Sequence, residues 1–479
     1  VLTGKAPFGR ELSLALSGWP PSCTTCARGH SKLYRKPTAK SPHDKAVFSE
    51  STQTSERASF SAPSCTMDAS VRAKCVRSSF PSWPAFSLLL ALLFVPAAQG
   101  LSCKDEQNQD VEWFFMYKMP KEASQAASVA FNKASTTVRG GDEYFYIDAR
   151  TQATTSKWPL SPHSVTEPGG ALANTLAPLY VTNKSGTNVA YVAYNDQPPD
   201  DNEAITDITY GHTKGVILFD EGSGVWLLHS VPEFPGSLHS GRYVYPNTGR
   251  EYGQVALCVS FPTGELDTIA THLRLQHPHI YDSYAPQELL AQHPPLALLL
   301  QKHFIHTEPW LLTAKLRTAE NTTFVSFAKN GHYEQDVYET ALGVTLRTDV
   351  LASTWRNGRG GRLPPACNGE AGPRVLDVLQ MRFDQASGNA SLAFDNSEDH
   401  SKWAISLPSQ APSAEREALS ENGEGDDQGY VCVGSLNRMQ SQLPRGGETM
   451  CFRNTMLHSL LLGSVVSHDT CPRTTVAAA

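Results

Sequence analysis

The sequence contains 479 residues with 40 Lys and Arg, 47 Asp and Glu and 16 His, which gives a formal net charge of −7 at neutral pH. Residues 1–100 hold 12 of the basic and 5 of the acidic residues, so the remainder carries 28 basic and 42 acidic residues, a net charge of −14. Such a balance is unusual for a protein that binds DNA through a basic surface. The chain lacks a P-loop, a Rossmann glycine pattern and an EF-hand, which excludes sites built on those motifs.

Two N-terminal segments precede the region that we expect to fold. Residues 1–66 are basic and rich in Ser, Thr and Pro, and we predict that they are disordered or a translated upstream extension. Residues 67–100 have the parts of a signal peptide: a basic stretch, an apolar run over 86–95 and a small-x-small cleavage site ending at Gly100. An N-terminal anchor is the alternative, but the apolar run is too short to span a bilayer. We therefore predict a mature chain that starts at Leu101.

The first half of the mature chain, residues 101–265, has the pattern of a β-rich lobe. Its strands are predicted from apolar runs at 111–118, 179–181, 189–194, 216–219, 225–230 and 257–261. The Gly-containing segment 220–224 predicts a β-hairpin between the fourth and fifth of these runs. Asn195 and Asp196 precede Gln-Pro-Pro, and we interpret them as part of a turn, with substrate contact as the alternative.

The second half, residues 266–479, mixes helices and strands. We predict helices at 266–275, 286–293, 296–303 and 336–342. Strands are predicted at 324–328, 375–383, 403–406 and 430–437. The acidic segment 408–429 has few apolar residues and is interpreted as a mobile surface loop. The two halves together indicate an α/β fold of mixed α+β content with two similar lobes.

Two His-x-Lys triplets stand out as the candidate site. His212 and Lys214 precede the first hairpin, and His400 and Lys402 precede a second strand pair that ends at Ser435. In an extended strand the His and Lys of a triplet would point to the same face. An ammonium can hold phosphate oxygens while an imidazole attacks phosphorus or moves a proton. A pair of solvated surface residues is the alternative for a single triplet, but the repeated His-x-Lys, strand, strand, Ser order indicates an internal duplication.

These residues give the chain a recognisable likeness. The triplets with Gly434, Ser435 and Asn437 resemble the phospholipase D superfamily. The wider text, in particular AYNDQPP from Ala193, GHTKGVILFD from Gly211, LLHSVPEFP and EDHSKW, is similar to the deoxyribonuclease II family over residues 101–471. Glu233, the absence of Asp at the phospholipase D spacing and the long 407–429 segment depart from the family pattern.

The resemblance implies a phospholipase D-like, two-lobed, pseudo-symmetric sandwich and an acid endonuclease that needs no metal or other cofactor. It implies catalytic roles for both triplets, with His212 as nucleophile and His400 as proton donor. It implies support from Ser435, Asn437 and the segment that holds His229 and Ser230. For His229, a hydrogen-bonded structural role and direct catalysis both remain open. A phosphodiesterase or phospholipase acting on another substrate and a non-catalytic secreted glycoprotein of the same fold are the competing functions.

Cysteine use indicates an oxidising compartment, since six of the ten Cys lie after residue 100. Six cysteines allow 15 connectivities, and the resemblance implies the pairs Cys103–Cys258, Cys367–Cys471 and Cys432–Cys451. Sequons occur at Asn183, Asn321 and Asn389.

The remaining expectations concern location and partners. Fourteen His follow residue 100 and would gain charge near pH 5, which favours an acidic compartment. We therefore expect a lysosomal or secreted protein with DNA as its substrate and no stable membrane association after signal cleavage; a homo-oligomer is compatible with the likeness. A zinc site at His272, His277 and His279 is disfavoured because no fourth ligand has suitable spacing.

Overall fold

The structure is a computed structural model, which describes residues 100–121, 140–151, 157–181, 187–199, 209–358, 360–367, 372–386, 391–407 and 429–472. The predicted upstream extension, the signal peptide, the sequons Asn183 and Asn389 and the acidic segment 408–428 lie outside the described residues. Within the described part, no helix combines the length and apolar character that crossing a membrane requires.

The first sheet runs in the spatial order β4-β3-β8-β7-β6-β5-β9, with every neighbouring pair antiparallel. Its strands, preceded by the small β1–β2 ribbon, are β1 (Cys103–Lys104), β2 (Asp110–Val111), β3 (Trp113–Lys118), β4 (Tyr144–Asp148), β5 (Ala190–Asn195), β6 (Lys214–Phe219), β7 (Ser223–His229), β8 (Gln254–Pro262) and β9 (Ile280–Tyr284). The first sheet thus takes its last strand from beyond residue 265, where we placed the lobe boundary; the division into lobes stays a prediction.

The second sheet runs in the order β10-β11-β17-β16-β15-β12-β13-β14, and β18 pairs with β13. Its strands are β10 (Leu311–Arg317), β11 (Thr323–Lys329), β12 (Asp349–Ser353), β13 (Val375–Asp384), β14 (Ser391–Asp395), β15 (Trp403–Leu407), β16 (Tyr430–Gly434), β17 (Gly447–Arg453) and β18 (Val465–His468). The β12–β13 pair is parallel and the other pairs are antiparallel. The mixed α+β class is confirmed.

Short helices connect and cover the sheets. They are α1 (Ala171–Leu176), α2 (Leu266–Gln276), α3 (Gln287–Gln292), α4 (Pro294–Leu300), a π-helix (Tyr338–Gly343), α5 (Val344–Leu346) and α6 (Thr455–Ser464), with 3₁₀ turns at Ala177–Tyr180, Leu238–Ser240, Asn247–Gly249, Thr263–Glu265, Gly331–Tyr333, Asn396–Glu398 and Gln440–Gln442. The helices predicted from 266, 286 and 296 are therefore confirmed. The predicted strand 179–181 is wrong, because a 3₁₀ turn with Pro178 in its first positions continues directly from α1 and ends at Tyr180.

The two sheets pack face to face around one central core. Along β3, Trp113, Phe115 and Tyr117 enter this core, whereas Phe114 and Met116 pack on the opposite face. Because both faces are covered, the strand reads as a continuous apolar run rather than an alternating one. Side chains of α2, α4 and α6 join the central core, so the fold is a sandwich whose sheets share their inner faces.

The predicted hairpin and its counterpart are confirmed. Strand β6 pairs with β7 and β15 pairs with β16, each antiparallel. Each second strand then pairs with the following strand, β8 in one half and β17 in the other. The same connection of strands thus occurs in both halves, in agreement with the predicted duplication. It places the two triplets at corresponding ends of the two sheets.

The disulfides are the three that the resemblance implies. They join Cys103 to Cys258, Cys367 to Cys471 and Cys432 to Cys451. The last bridge links facing positions of β16 and β17. The sequon residue Asn321 is exposed in the turn between β10 and β11, where its φ is +70°; its glycosylation stays a prediction.

Candidate active site

Each triplet lies where the chain enters a strand rather than within one. Lys214 is the first residue of β6 and Lys402 directly precedes β15, while both His residues lie in irregular backbone. The two strands therefore do not include the His positions. The reason is that the backbone N–H of His212 donates to Gly446 O at 2.8 Å and that of His400 donates to Gly253 O at 2.9 Å, outside the strand ladders.

The two halves of the chain hold each other's imidazoles. His212 Nδ1 lies 2.6 Å from the carbonyl oxygen of Ser435, and His400 Nδ1 lies 3.0 Å from the carbonyl oxygen of Ser230. These contacts join residues 223 and 170 positions apart. A carbonyl accepts, so each Nδ1 carries the hydrogen and each Nε2 is left as the reactive nitrogen when the ring is neutral.

The hydroxyl groups of Ser230 and Ser435 form hydrogen bonds at the ends of the strands. Ser230 Oγ donates to Gln254 Oε1 at 2.6 Å and accepts from Val255 N at 3.0 Å. Ser435 Oγ accepts from Glu448 N at 3.1 Å. Both hydroxyls therefore stabilise the strand ends, while the carbonyls of the same residues position the two imidazoles.

The lysines are buried and unequally compensated. Lys214 Nζ forms an ion pair with Asp196, which also accepts from Arg445 at 3.2 Å and lies 3.8 Å from His212 Nε2. Lys402 Nζ donates to the carbonyl of His400 at 2.6 Å, and in the part of the chain that the structure describes no carboxylate lies within ion-pair distance of it. The second triplet therefore contains a buried ammonium, that of Lys402, whose charge a bound anion can neutralise.

Burial and mutual repulsion shape the protonation of the site. Burial, Lys214 and Arg445 lower the pKa of His212 well below its ordinary value, although Asp196 opposes them. Burial, Lys402, Lys214 and His212 lower the pKa of His400 well below its ordinary value. Burial and Lys214 likewise lower the pKa of Lys402. The contacts of His212 with Ser435 and of His400 with Ser230 bring the two halves together at the triplets, and the charge of each triplet lowers pKa values in the other.

Asp196 and Glu448 are buried acids that act on Lys214, and their ionisation differs. Burial would raise the pKa of Asp196, but Lys214, His212 and Arg445 together lower it, so Asp196 is charged. Burial raises the pKa of Glu448 to about 8, although Lys214 opposes the shift. At acidic pH Asp196 is thus the charged carboxylate that pairs with both Lys214 and Arg445 among the described residues.

His229 and Asn437 lie at the edge of this arrangement. His229 ends β7, its Nδ1 accepts from Val231 N at 3.2 Å, and its ring packs against Phe234 with centroids 5.1 Å apart. Burial and Lys214 lower the pKa of His229 to about 3, so the ring is neutral. Asn437 Oδ1 is buried and has no hydrogen-bond partner among the described residues. Their roles in catalysis stay predictions.

The His and acidic side chains of this region do not form a metal-ligand cluster among the described residues. Among the described residues, no group of three or more His, Cys, Asp or Glu side chains is arranged to hold a metal ion. The three His of the disfavoured zinc site each have a different partner. His272 Nδ1 lies 2.9 Å from Ser326 Oγ, His277 contacts Thr209 O, and the ring of His279 stacks on Tyr210.

With this geometry in place, comparison with known proteins identifies the family. The family model for deoxyribonuclease II matches residues 102–471. The chain belongs to the deoxyribonuclease II family. It is 35% identical over 368 residues to deoxyribonuclease-2-alpha of Rattus norvegicus, an alignment that covers 77% of this chain and 93% of the relative.

Two further relatives extend the comparison. The chain is 32% identical over 402 residues to deoxyribonuclease-2 of Caenorhabditis elegans, covering 78% of this chain and 95% of the relative. It is 31% identical over 383 residues to plancitoxin-1 of Acanthaster planci, covering 80% and 96% respectively. The likeness therefore extends over nearly the full length of these family members.

Three charged residues of this family member's site were missed by sequence reasoning. Asp196 was interpreted as part of a turn, Arg445 lies in a Gly-rich segment, and Glu448 was not singled out. The available signal was Lys214 at the head of a buried strand, because a buried ammonium requires a partner. That signal does not say which carboxylate supplies it, since Asp196 is 18 residues away and Arg445 lies 249 residues from Asp196.

Proposed function

We propose that this chain is an acid endonuclease that hydrolyses DNA phosphodiester bonds without a metal ion. The observation that carries the proposal is the pair of His-x-Lys triplets, buried except for the half-buried His400, whose imidazoles are each held through Nδ1 by a carbonyl of the other half. Lys214 and Lys402 would bind the non-bridging oxygens of a phosphodiester, the task that a metal performs in other nucleases. Family membership supports the same substrate, because two of the relatives described above are named deoxyribonuclease-2-alpha and deoxyribonuclease-2.

In the proposed reaction His212 is the nucleophile. Its lowered pKa keeps the ring neutral, and Nε2 attacks phosphorus as the bond to the 5′ oxygen breaks. Protonated His400 donates its proton to that oxygen, so a 5′-hydroxyl strand leaves and a phosphohistidine remains. His400 then removes a proton from water, which attacks phosphorus, displaces His212 and leaves a 3′-phosphate end.

The pH dependence follows from the donor. Because burial and neighbouring cations lower the pKa of His400, the protonated donor forms in the free enzyme only below the ordinary histidine range. Activity limited by this proton should therefore rise as pH falls below about 6.5. A bound phosphodiester raises the pKa of His400 again, since an anion favours the charged imidazole.

Substitution of each histidine separates the roles. His212→Ala should abolish both turnover and the acid-labile phosphoryl-enzyme. His400→Ala should slow DNA cleavage strongly but spare an aryl phosphodiester, whose leaving group needs no proton. The exposed His303→Ala provides the matched control. A covalent adduct that persists in His212→Ala but not in His400→Ala would reverse the roles, and full activity in both would reject the site.

A chelator assay tests the metal-independent chemistry. Protein starting at residue 101 should cleave DNA at pH 5 in EDTA at the rate seen without it, because Lys214 and Lys402 supply the positive charge. Loss of cleavage in EDTA that a divalent ion restores would reject this part of the proposal. A lipid phosphodiester offered in parallel distinguishes the competing phospholipase activity.

We also propose that the protein acts in the lysosome or outside the cell. Three disulfides suit an oxidising secretory route, and the proposed donor works best in acid. An epitope-tagged chain should co-fractionate with acidic organelles or accumulate in the medium; retention in the cytosol would contradict this location. A homo-oligomer stays a prediction that sedimentation can test.

A further inference from the structure

Two aromatic residues, Trp355 and Tyr252, lie on the exposed side of the second triplet, next to His400. The ring of Trp355 is 5.4 Å from that of His400 at an interplanar angle of 61°, and 4.6 Å from that of Tyr252 at 58°. Trp355 is half-buried, and Tyr252 is 37% exposed. Two large rings thus remain open to solvent directly beside the proposed proton donor.

The backbone holds both rings in fixed places. Tyr252 directly precedes Gly253, whose carbonyl accepts from His400 N at 2.9 Å, and its own carbonyl accepts from buried Lys118. Thr354, which directly follows β12 and precedes Trp355, accepts through its Oγ1 from Arg438 N at 3.1 Å. The chain at Tyr252 is thus fixed by contacts next to the one that positions His400, and the chain at Trp355 by the contact of Thr354.

Comparison of the two halves shows that Trp355 occupies an unusual position. Asn195 faces Lys214 across β5 and β6, and Asp196 follows it. In the other half Ser353 faces Trp403 across β12 and β15. Continuing this antiparallel register by one residue places Thr354 opposite Lys402, and Trp355 follows Thr354. Asp196 and Trp355 thus occupy equivalent positions in the two halves. The first half has a carboxylate paired with Lys214 at this position, whereas the second half has an aromatic ring.

We propose that Trp355 and Tyr252 stack the nucleobase of the nucleotide immediately 3′ of the cleaved bond. The inference rests on the proposed function, in which His400 protonates the 5′ oxygen of that nucleotide. Aromatic rings beside a cationic phosphate site are the usual means of holding a base without sequence preference. Because a base in a duplex is already stacked between its neighbours, the site accepts a single strand or a locally opened duplex.

The test uses a thymidine oligonucleotide in which one central phosphodiester is the only hydrolysable linkage and the others are methylphosphonates. A second version has an abasic residue immediately 3′ of that bond, and a third has it immediately 5′. For the wild-type protein, loss of the 3′ base should lower kcat/KM about tenfold, the effect of one base–aromatic stack. Loss of the 5′ base should have a clearly smaller effect.

Trp355→Ala should lower kcat/KM about tenfold on the intact oligonucleotide and remove the penalty for the missing 3′ base. Trp355→Phe should retain part of that penalty, and Trp310→Ala, which removes a half-exposed ring packed on His332, should leave it unchanged. An equal loss for Trp355→Ala on all three substrates, no loss, or a penalty transferred to the 5′ base would overturn the proposal. Failure of wild-type protein to cleave any of the three would instead reject the proposed nuclease function.

Discussion

The buried acid Glu448 gives a quantitative test of the site's electrostatics. Its side chain is 2% exposed in β17, and burial raises its pKa from the ordinary 4.5 to about 8 despite the opposing charge of Lys214. A raised folded-state pKa contributes stability that is complete below the unfolded value and is lost as pH rises through the folded value. We therefore expect the contribution of Glu448 to the free energy of unfolding to decline between about pH 4.5 and 8.

The shift of 8 − 4.5 = 3.5 units corresponds to on the order of 5 kcal/mol at about 1.4 kcal/mol per unit. Glu448→Gln has the same shape and cannot ionise. Relative to wild type, the variant should therefore gain unfolding free energy as pH rises, with little relative change below pH 4.5. A constant offset from the new amide does not alter this slope.

Urea denaturation of both proteins at pH 4.5, 5.5, 6.5 and 7.5 with the disulfides intact measures the difference. The exposed Glu320→Gln is the matched control and should parallel wild type throughout. Stabilisation from neutral His229, with a pKa of about 3, is lost as pH falls below the ordinary value of 6.5, but it cancels between the two proteins. Parallel curves for Glu448→Gln and wild type would refute the buried, protonated state of Glu448.

Three further predictions concern other parts of the chain. Asp196→Asn should cost roughly 3–5 kcal/mol of unfolding free energy at pH 5, because it leaves the buried ammonium of Lys214 without its partner; unchanged urea midpoints would contradict this. The double variant Cys432→Ala/Cys451→Ala should lose about 2–4 kcal/mol, and non-reducing peptide mapping of wild type should recover the two residues as one bridged pair; free thiols at both would disprove the bridge. N-terminal sequencing of secreted protein should begin at or near Leu101, and attached residues 1–66 would be the opposing result.

Much of the local structure follows from local patterns. The β6–β7 hairpin, helix α2 and strand β13 were predicted because apolar periodicity and turn residues act over a few positions. The repeated order of His-x-Lys, strand, strand and Ser was also visible, since each copy lies within one stretch of the sequence. The strand predicted at 179–181 is wrong because a short apolar run fits a 3₁₀ turn equally well.

Only the tertiary structure decided how the site is assembled. His212 bonds to Ser435 and His400 to Ser230, contacts between opposite halves that periodicity within either half does not encode. That Trp355 occupies the position equivalent to that of Asp196 likewise follows only from strand register. The sequence by itself therefore determined the local elements and pointed to the two His-x-Lys triplets. The packing of the two sheets determined the partners of those residues, because burial and charge pairing arise from contacts between residues far apart in the chain.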